Sequence, residues 1–175
     1  VLHELKELES EGDPVFEPSK PRGLVLVPGR ELGEQVCKVF KSLTHDTRLR
    51  VRSVLGGTKK RIARQNVNGL FEVLVATPGR LVQFLDSGQL RLNDVRVLVL
   101  DEADQLLDPG FLPVAQRVVR QCPDTVRLAM FAATLPDSLN DAVNDLFTSA
   151  PLRVRTRGSR HGVQTLKTDN RTVHG

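Results

Sequence analysis

The sequence predicts an α/β fold in which an open, mainly parallel sheet is covered by helices on both faces. Three observations predict it. Short apolar runs without polar alternation recur along the chain, as strands buried on both faces require. Between them lie longer segments whose apolar residues fall at helical spacing, which gives a β-α-β-α order. Each unusual short motif falls immediately after an apolar run, the position where ligands sit in such sheets.

The elements follow in order. Gly23-Leu24-Val25-Leu26-Val27 is the first apolar run and stops at Pro28-Gly29. Leu32, Val36, Val39, Phe40 and Leu43 then recur at helical spacing. Arg50 to Leu55 reads as a second strand ended by Gly56-Gly57, after which Thr58 is placed to cap a helix. Val73-Leu74-Val75 is a third strand. In the following Thr77-Pro78-Gly79-Arg80, Thr77 suits a helix N-cap and Pro78 the first helical position. Val95 to Leu100 is a fourth strand ending at Asp101, Phe111 to Arg120 a helix, and Val126 to Phe131 a fifth strand. Pro136 to Phe147 reads as a helix with Leu139, Ala142, Val143, Leu146 and Phe147 on its apolar side, and Leu152 to Val154 as a short last strand. Glu11 to Pro21 reads as a surface loop, and Gly158 to Gly175, with little apolar content, as a basic linker or tail.

Composition sets outer limits. A chain of 175 residues with 39% hydrophobic content can build one domain with a core. No apolar run approaches the roughly 20 residues of a membrane-spanning helix, so no membrane role is expected. The start, Val1-Leu2-His3-Glu4-Leu5-Lys6, lacks the basic and apolar regions of a signal peptide. Cys37 and Cys122 form no C-x-x-C pair and read as free thiols of a reducing, intracellular setting; cytoplasm, nucleus and mitochondrion fit equally. The four histidines show no metal-ligand spacing. A net charge of +4 points to a polyanionic partner. It is unevenly spread: from Pro151 onward Arg153, Arg155, Arg157, Arg160, Lys167 and Arg171 face Asp169 alone. A second cluster, Arg48, Arg50, Arg52, Lys59, Lys60, Arg61 and Arg64, lies within the body.

The strongest chemical signal is Val97-Leu98-Val99-Leu100 followed by Asp101-Glu102-Ala103-Asp104. A carboxylate at the tip of a buried parallel strand is held where nucleotide phosphates bind. An acidic residue there suits Mg²⁺, held through water because Mg²⁺ dehydrates reluctantly. The adjacent carboxylate can orient or polarise an attacking water. Asp101 is therefore the candidate metal residue and Glu102 the candidate general base. Thr77-Pro78-Gly79-Arg80 offers a hydroxyl, a close backbone approach at glycine and free N–H groups at a helix start, all features that bind phosphate. Arg30 and Arg80 can add charge-assisted bonds, and Gly56-Gly57 lets another backbone pass close by.

Asp101-Glu102-Ala103-Asp104 resembles the name-giving motif of the DEAD-box ATP-dependent RNA helicases. Phe131-Ala132-Ala133-Thr134-Leu135-Pro136 is similar to that family's Ser-Ala-Thr motif, and Pro28-Gly29-Arg30-Glu31-Leu32 to its Pro-Thr-Arg-Glu-Leu motif. Gly56-Gly57 matches the glycine doublet, and Ala76-Thr77-Pro78-Gly79-Arg80-Leu81 the Thr-Pro-Gly-Arg motif. Each motif alone is weak; five in the family's order, from about Gly23 to Leu152, are specific. The resemblance implies a RecA-like three-layer sandwich of the P-loop NTPase type over residues 1–157, with residues 158–175 leading towards a second RecA-like domain. It implies ATP and Mg²⁺ as cofactors, with Asp101, Glu102 and Asp104 on the nucleotide side. It also implies single-stranded or duplex RNA bound through its backbone by Pro28, Gly29, Arg30, Gly56, Gly57, Thr77, Pro78, Gly79 and Arg80. Ala132, Ala133 and Thr134 would couple the two sides, and ribonucleoprotein partners follow as candidates.

The chain departs from the family at three places. Gly29 replaces a threonine and removes a hydroxyl, Ala132 replaces a serine and removes a coupling hydrogen bond worth about 0.5–1.5 kcal/mol, and Pro109 stands where the family commonly has a methionine and should interrupt helix there. No G-x-x-x-x-G-K-[ST] phosphate loop occurs, nor the family's adenine-recognising glutamine motif. Val1 to Glu9 resembles the end of the helix that follows such a loop, so the expectation is an N-terminally truncated portion of a longer helicase, inactive as an ATPase by itself. The alternative expectation is a catalytically degenerate RNA-binding or ribosome-assembly factor on the same fold.

Overall fold

The computed structural model describes residues 1–10, 17–45, 49–134, 139–147 and 154. The apolar runs form its strands: β1 (Gly23–Leu26), β2 (Val51–Val54), β3 (Val73–Ala76), β4 (Val97–Leu100) and β5 (Arg127–Met130). Successive side chains leave opposite faces of a strand, and both faces are covered. Leu24, Leu26, Leu74, Ala76, Leu98 and Leu100 belong to one buried cluster, whereas Val25, Val27, Val51, Val73 and Val75 belong to another.

Helices supply the cover. On the leucine face lie α3 (Lys60–Val67), α4 (Pro78–Asp86), α5 (Ala103–Leu106), α6 (Leu112–Gln121) and α7 (Asn140–Asn144), through Ala63, Leu81, Leu106, Val118 and Val143 among others. On the valine face lie α1 (Leu2–Ser10), through Leu5, and α2 (Arg30–Leu43), through Cys37. Both cysteines are free and buried; burial pushes the Cys122 thiol up to about 12, so it stays protonated at neutral pH.

The sheet has the order β2-β3-β1-β4-β5, and all four pairings are parallel. The expected α/β architecture is therefore present, with β5 at an edge and half-exposed at Leu128, Ala129 and Met130. A charged residue stands immediately before each of the first four strands: Arg22, Arg50, Glu72 and Arg96. The main-chain N–H groups of Arg22 and Gly23 both donate to Glu72 O, at 3.0 and 2.9 Å, and those of Arg96 and Val97 to Arg22 O. Glu72 is 1% exposed; its carboxylate accepts from the backbone N–H of Arg50 and from the Arg50 guanidinium.

The structure corrects several boundaries. Thr58 is not the cap of α3, whose N-cap is Lys59 without a side-chain cap hydrogen bond. The Gly56-Gly57 pair makes a turn closed by Thr58 N–H on Leu55 O at 3.3 Å, with Gly57 at φ +75°, and so uses Thr58 before the helix begins. Pro109 does interrupt helix: α5 stops at Leu106, and α6 starts after a turn in which Phe111 N–H and Leu112 N–H both donate to Asp108 O at 2.9 Å. The loop ending at Pro21 is not all surface, because Pro21 is buried and Ser19 donates its Oγ–H to Val67 O at 2.7 Å. Of the helix expected from Pro136, α7 is the described part; residues 135–138, 11–16, 152–153 and 158–175 lie outside the described residues.

Gly33 is a glycine the packing requires. It sits inside α2, where alanine would favour helix by about 1 kcal/mol. A Cβ there would run into Leu55 Cδ2 and lie 3.1 Å from Leu55 Cδ1 and 3.2 Å from Val27 Cγ2. Overpacking a buried contact costs about 1–3 kcal/mol. Gly33→Ala is therefore expected to lower stability in urea unfolding by about 1 kcal/mol; a stabilised variant would show that α2 can shift away from the sheet.

Candidate nucleic-acid and nucleotide site

In a parallel sheet every loop after a strand leaves from the same edge, and strand order decides which loops are neighbours. Across that edge run Gly56-Gly57 after β2, Thr77 to Arg80 after β3, Pro28 to Arg30 after β1, Asp101 to Asp104 after β4, and Phe131 to Thr134 after β5. The three motifs with phosphate-binding features are contiguous on one half. The acidic turn and the Ala132 segment are contiguous on the other.

On the first half, contacts knit the loops together. Thr77 is buried, and its Oγ1 accepts the Gly56 N–H at 2.9 Å. Thr77 thus occupies the N-cap position of α4, with Pro78 after it, but its side chain makes no cap hydrogen bond. Arg80 donates one guanidinium N–H to Thr58 O at 2.8 Å and another to Gln83 Oε1 at 2.9 Å. Arg30 donates to Glu34 Oε1 at 2.7 Å and lies beside Gly57, where a Cβ would come within 3.0 Å of its Nη1. The turn at 56–58 is therefore held between two arginines. Gly29 is exposed, extended and without neighbours within 4 Å of a Cβ, and Gly79 is likewise open on the protein side. No packing within the domain explains glycine at either position.

On the second half, the turn after β4 is strained. Glu102 has φ +50° and ψ +52°, a left-handed conformation costing a non-glycine residue about 1–3 kcal/mol. The backbone around it is fastened: Asp101 N–H donates to Leu26 O at 3.0 Å and Ala103 N–H to Phe131 O at 2.8 Å. Asp101 Oδ1 accepts the Glu102 N–H at 3.1 Å, and Glu102 Oε2 accepts from Gln105 Nε2 at 3.0 Å. Thr134 Oγ1 donates to Asp104 Oδ2 at 3.3 Å, joining the segment after β5 to the acidic turn. Ala132 and Ala133 are exposed. The contacts of Gln105, Thr58 and Gln83 were not foreseen. Arg30–Glu34 was visible as an i,i+4 pair, but Arg80–Thr58 spans 22 residues and leaves no local trace.

The donor chemistry fits half of a nucleotide site. Among the described residues no three carboxylate, histidine or cysteine side chains converge on one point. Asp101 alone, with Oδ1 engaged and a second oxygen remaining, suits Mg²⁺ held through water. The glycine-lysine loop that cradles phosphates has no counterpart in the sequence.

A fully parallel sheet of this order, covered on both faces, is of the RecA-like α/β class. The sequence profile of the DEAD/DEAH box helicases matches residues 2–142, and the chain belongs to that family as a first RecA-like domain. RNA helicase CrhR of Synechocystis is 32% identical over 143 residues, which are 79% of this chain and 29% of that protein. ATP-dependent RNA helicase RhlB of Pseudomonas putida is 40% identical over 124 residues, 69% of this chain and 31% of that protein. The crystal structure of the yeast splicing factor Prp28 superposes with a TM-score of 0.69 at 26% identity, covering 81% of this chain and 35% of that one. The chain spans 18% to 31% of the length of such relatives. Among the described residues no helix is long and apolar enough to cross a membrane.

The Thr77–Gly56 bond yields a prediction. Thr77→Val keeps the shape and removes the acceptor, leaving a part-buried N–H unpaired at about 1 kcal/mol. Amide exchange at Gly56 should quicken by about fivefold, while Thr77→Ser should leave it unchanged. Equal protection in the valine variant would mean the hydroxyl does not hold the turn.

Proposed function

We propose that this chain is the RNA-binding and acidic half-site of an ATP-dependent RNA helicase, an RNA-stimulated ATPase that locally unwinds or remodels RNA or RNA–protein complexes. The observation that supports this most is the order of loops along the carboxyl edge: three phosphate-binding motifs side by side, then the acidic turn. Pro28, Gly29, Arg30, Gly56, Gly57, Thr77, Pro78, Gly79 and Arg80 hold the sugar-phosphate backbone, which carries little sequence information. Arg30 and Arg80 supply the charge. Gly29 and Gly79, open on the protein side, admit the close approach of another backbone.

Asp101 would hold Mg²⁺ through water, and the ion's chemistry is to neutralise charge on the transferring phosphate. Glu102, fixed by its left-handed backbone and by Gln105, orients the attacking water and takes its proton. Asp104 positions Thr134, so that Ala132, Ala133 and Thr134 relate the acidic turn to the RNA half. ATP's phosphates would be cradled by a loop outside this chain, and a second RecA-like domain would close over the RNA. The chain by itself therefore hydrolyses ATP poorly. An intracellular setting accords with the two buried free thiols, and ribonucleoprotein partners would follow from the RNA-binding role.

The absence of hydroxyls at Gly29 and Ala132 favours one second reading, a catalytically degenerate RNA-binding or ribosome-assembly factor. RNA-stimulated ATP turnover by the full-length protein separates the two. Glu102→Gln in that protein should lower turnover by about 10²- to 10⁴-fold with ATP and RNA binding retained. Near-normal turnover would remove Glu102 from this role, and no turnover in the parent would favour the scaffold.

Gly79→Ala separates fold from ligand. A Cβ at Gly79 meets nothing within 4 Å, so the variant should be more stable by up to about 1 kcal/mol. It should also bind RNA about tenfold more weakly. Unchanged RNA affinity would mean that no backbone approaches this glycine.

A further inference from the structure

We infer that α3 and the edge strand β2 form a second RNA-binding ridge, which takes the phosphate backbone of RNA extending beyond the carboxyl-edge groove. The inference rests on the proposed RNA-binding role of that groove. It adds a site on a different surface.

The placement is continuous with the groove. α3 begins directly after the 56–58 turn and runs back along the flank of the sheet towards the start of β3. It is preceded by Lys59, carries Lys60, Arg61 and Arg64, and has no acidic residue. All four cations are exposed. Arg52 joins them from β2: it is exposed and in register with Leu74, on the sheet face that α3 covers.

Elsewhere on the described surface several cations are matched, and the unmatched ones, Lys6, Lys38, Lys41, Arg91 and Arg120, are spread over α1, α2, α6 and a loop. Lys20 pairs with Glu17, Arg30 with Glu34, Arg117 with Asp86 and Arg127 with Glu4. Among the described residues, Arg52, Lys59, Lys60, Arg61 and Arg64 have neither an ion pair nor a side-chain hydrogen bond. The cations at the start of α3 also stand at the positive end of the helix dipole, where they repel the exposed N–H groups. A phosphate backbone cancels both defects at once.

The inner side of the helix is already committed. Ala63 and Val67 are buried against the sheet. Asn66 Nδ2 donates to Ser53 O at 2.8 Å, covering a carbonyl of the edge strand that faces away from β3. That bond obstructs strand addition by a protein partner, whereas the outward cations remain open to a polyanion.

The test is equilibrium binding of fluorescein-labelled oligouridine of six and of twenty nucleotides to the 175-residue chain. The variant is Lys60→Gln, Arg61→Gln, Arg64→Gln combined. The six-mer should bind it as it binds the parent. The twenty-mer should bind about tenfold more weakly, with the slope of log affinity against log salt reduced by about 2, or about 0.7 for each lost phosphate contact. Equal loss on both lengths, or no loss on the longer RNA, overturns the ridge, the latter in favour of a protein partner or bare solvated charge. The urea midpoint should hold, since Lys60 and Arg61 leave the unfavourable end of the helix dipole while Arg64 leaves the favourable last turn; a marked fall would show that the cations serve the fold and would also overturn it. Arg80→Ala is the arm for the groove itself and should weaken both lengths. Its failure to do so would defeat the groove reading independently of the ridge.

Discussion

The row of charged residues at the amino ends of the strands fixes the register on which the site depends. β1 and β3 are apolar on both faces, so shifting either by one residue would still place apolar side chains in both clusters. Such strands specify their own pairing weakly. Their ends supply what their middles lack. Arg50, Glu72, Arg22 and Arg96 occupy neighbouring places across the sheet, each just before its strand, and a slip would carry a charge into the leucine or valine core. The buried Glu72 carboxylate, held by the N–H and guanidinium of Arg50, is the tightest point of that row. Because the strands are parallel and four residues long, a fixed amino edge aligns the carboxyl edge as well.

Much of this was legible in the sequence because it depends on periodicity. Strands β1, β3 and β4 followed from uninterrupted apolar runs, β2 and β5 from runs that each carry an arginine, and the break at Pro109 from a residue that cannot continue a helix. The motifs were legible as individual turns. Their neighbourhood was not, since the order β2-β3-β1-β4-β5 is a property of long-range pairing. In the chain, Pro28 to Arg30 comes before the glycine doublet; on the sheet it lies between Thr77 to Arg80 and Asp101. Thr77 illustrates the difference. Its identity and the following proline mark a helix start correctly, yet its hydroxyl bonds to Gly56 across the edge. A capping rule knows only the residues next in line.

The two halves of the edge are built differently. On the half proposed to bind RNA, side chains cross between loops, and two glycines face open space. Cross-links keep the loops in place while the glycines leave the outer surface thin, which suits a partner that must come close to the backbone. On the acidic half, main-chain bonds reach the turn from both neighbouring strands, through Leu26 O and Phe131 O, and they oppose the left-handed strain at Glu102. Strain of this kind persists only where the surroundings over-determine it. Ser19, the other left-handed residue outside glycine among those described, is likewise tied down, by Val67 O and Gly69 O. The difference is that Ser19 lies at the amino edge, where the bonds explain it fully, whereas Glu102 carries a carboxylate at the tip of a strand.

Ala132 weakens the acidic half only slightly. A hydroxyl missing from the segment after β5 removes one side-chain bond, a modest loss. The segment stays attached to the acidic turn in two other ways: by Ala103 N–H on Phe131 O, a backbone bond that no side-chain substitution deletes outright, and by Thr134 on Asp104. Its position beside the turn is therefore set by the β4–β5 pairing, which runs from Val97 with Arg127 to Leu100 with Met130. What Ala132 takes away is a local tether, and the sheet that carries both loops remains the stronger connection between them.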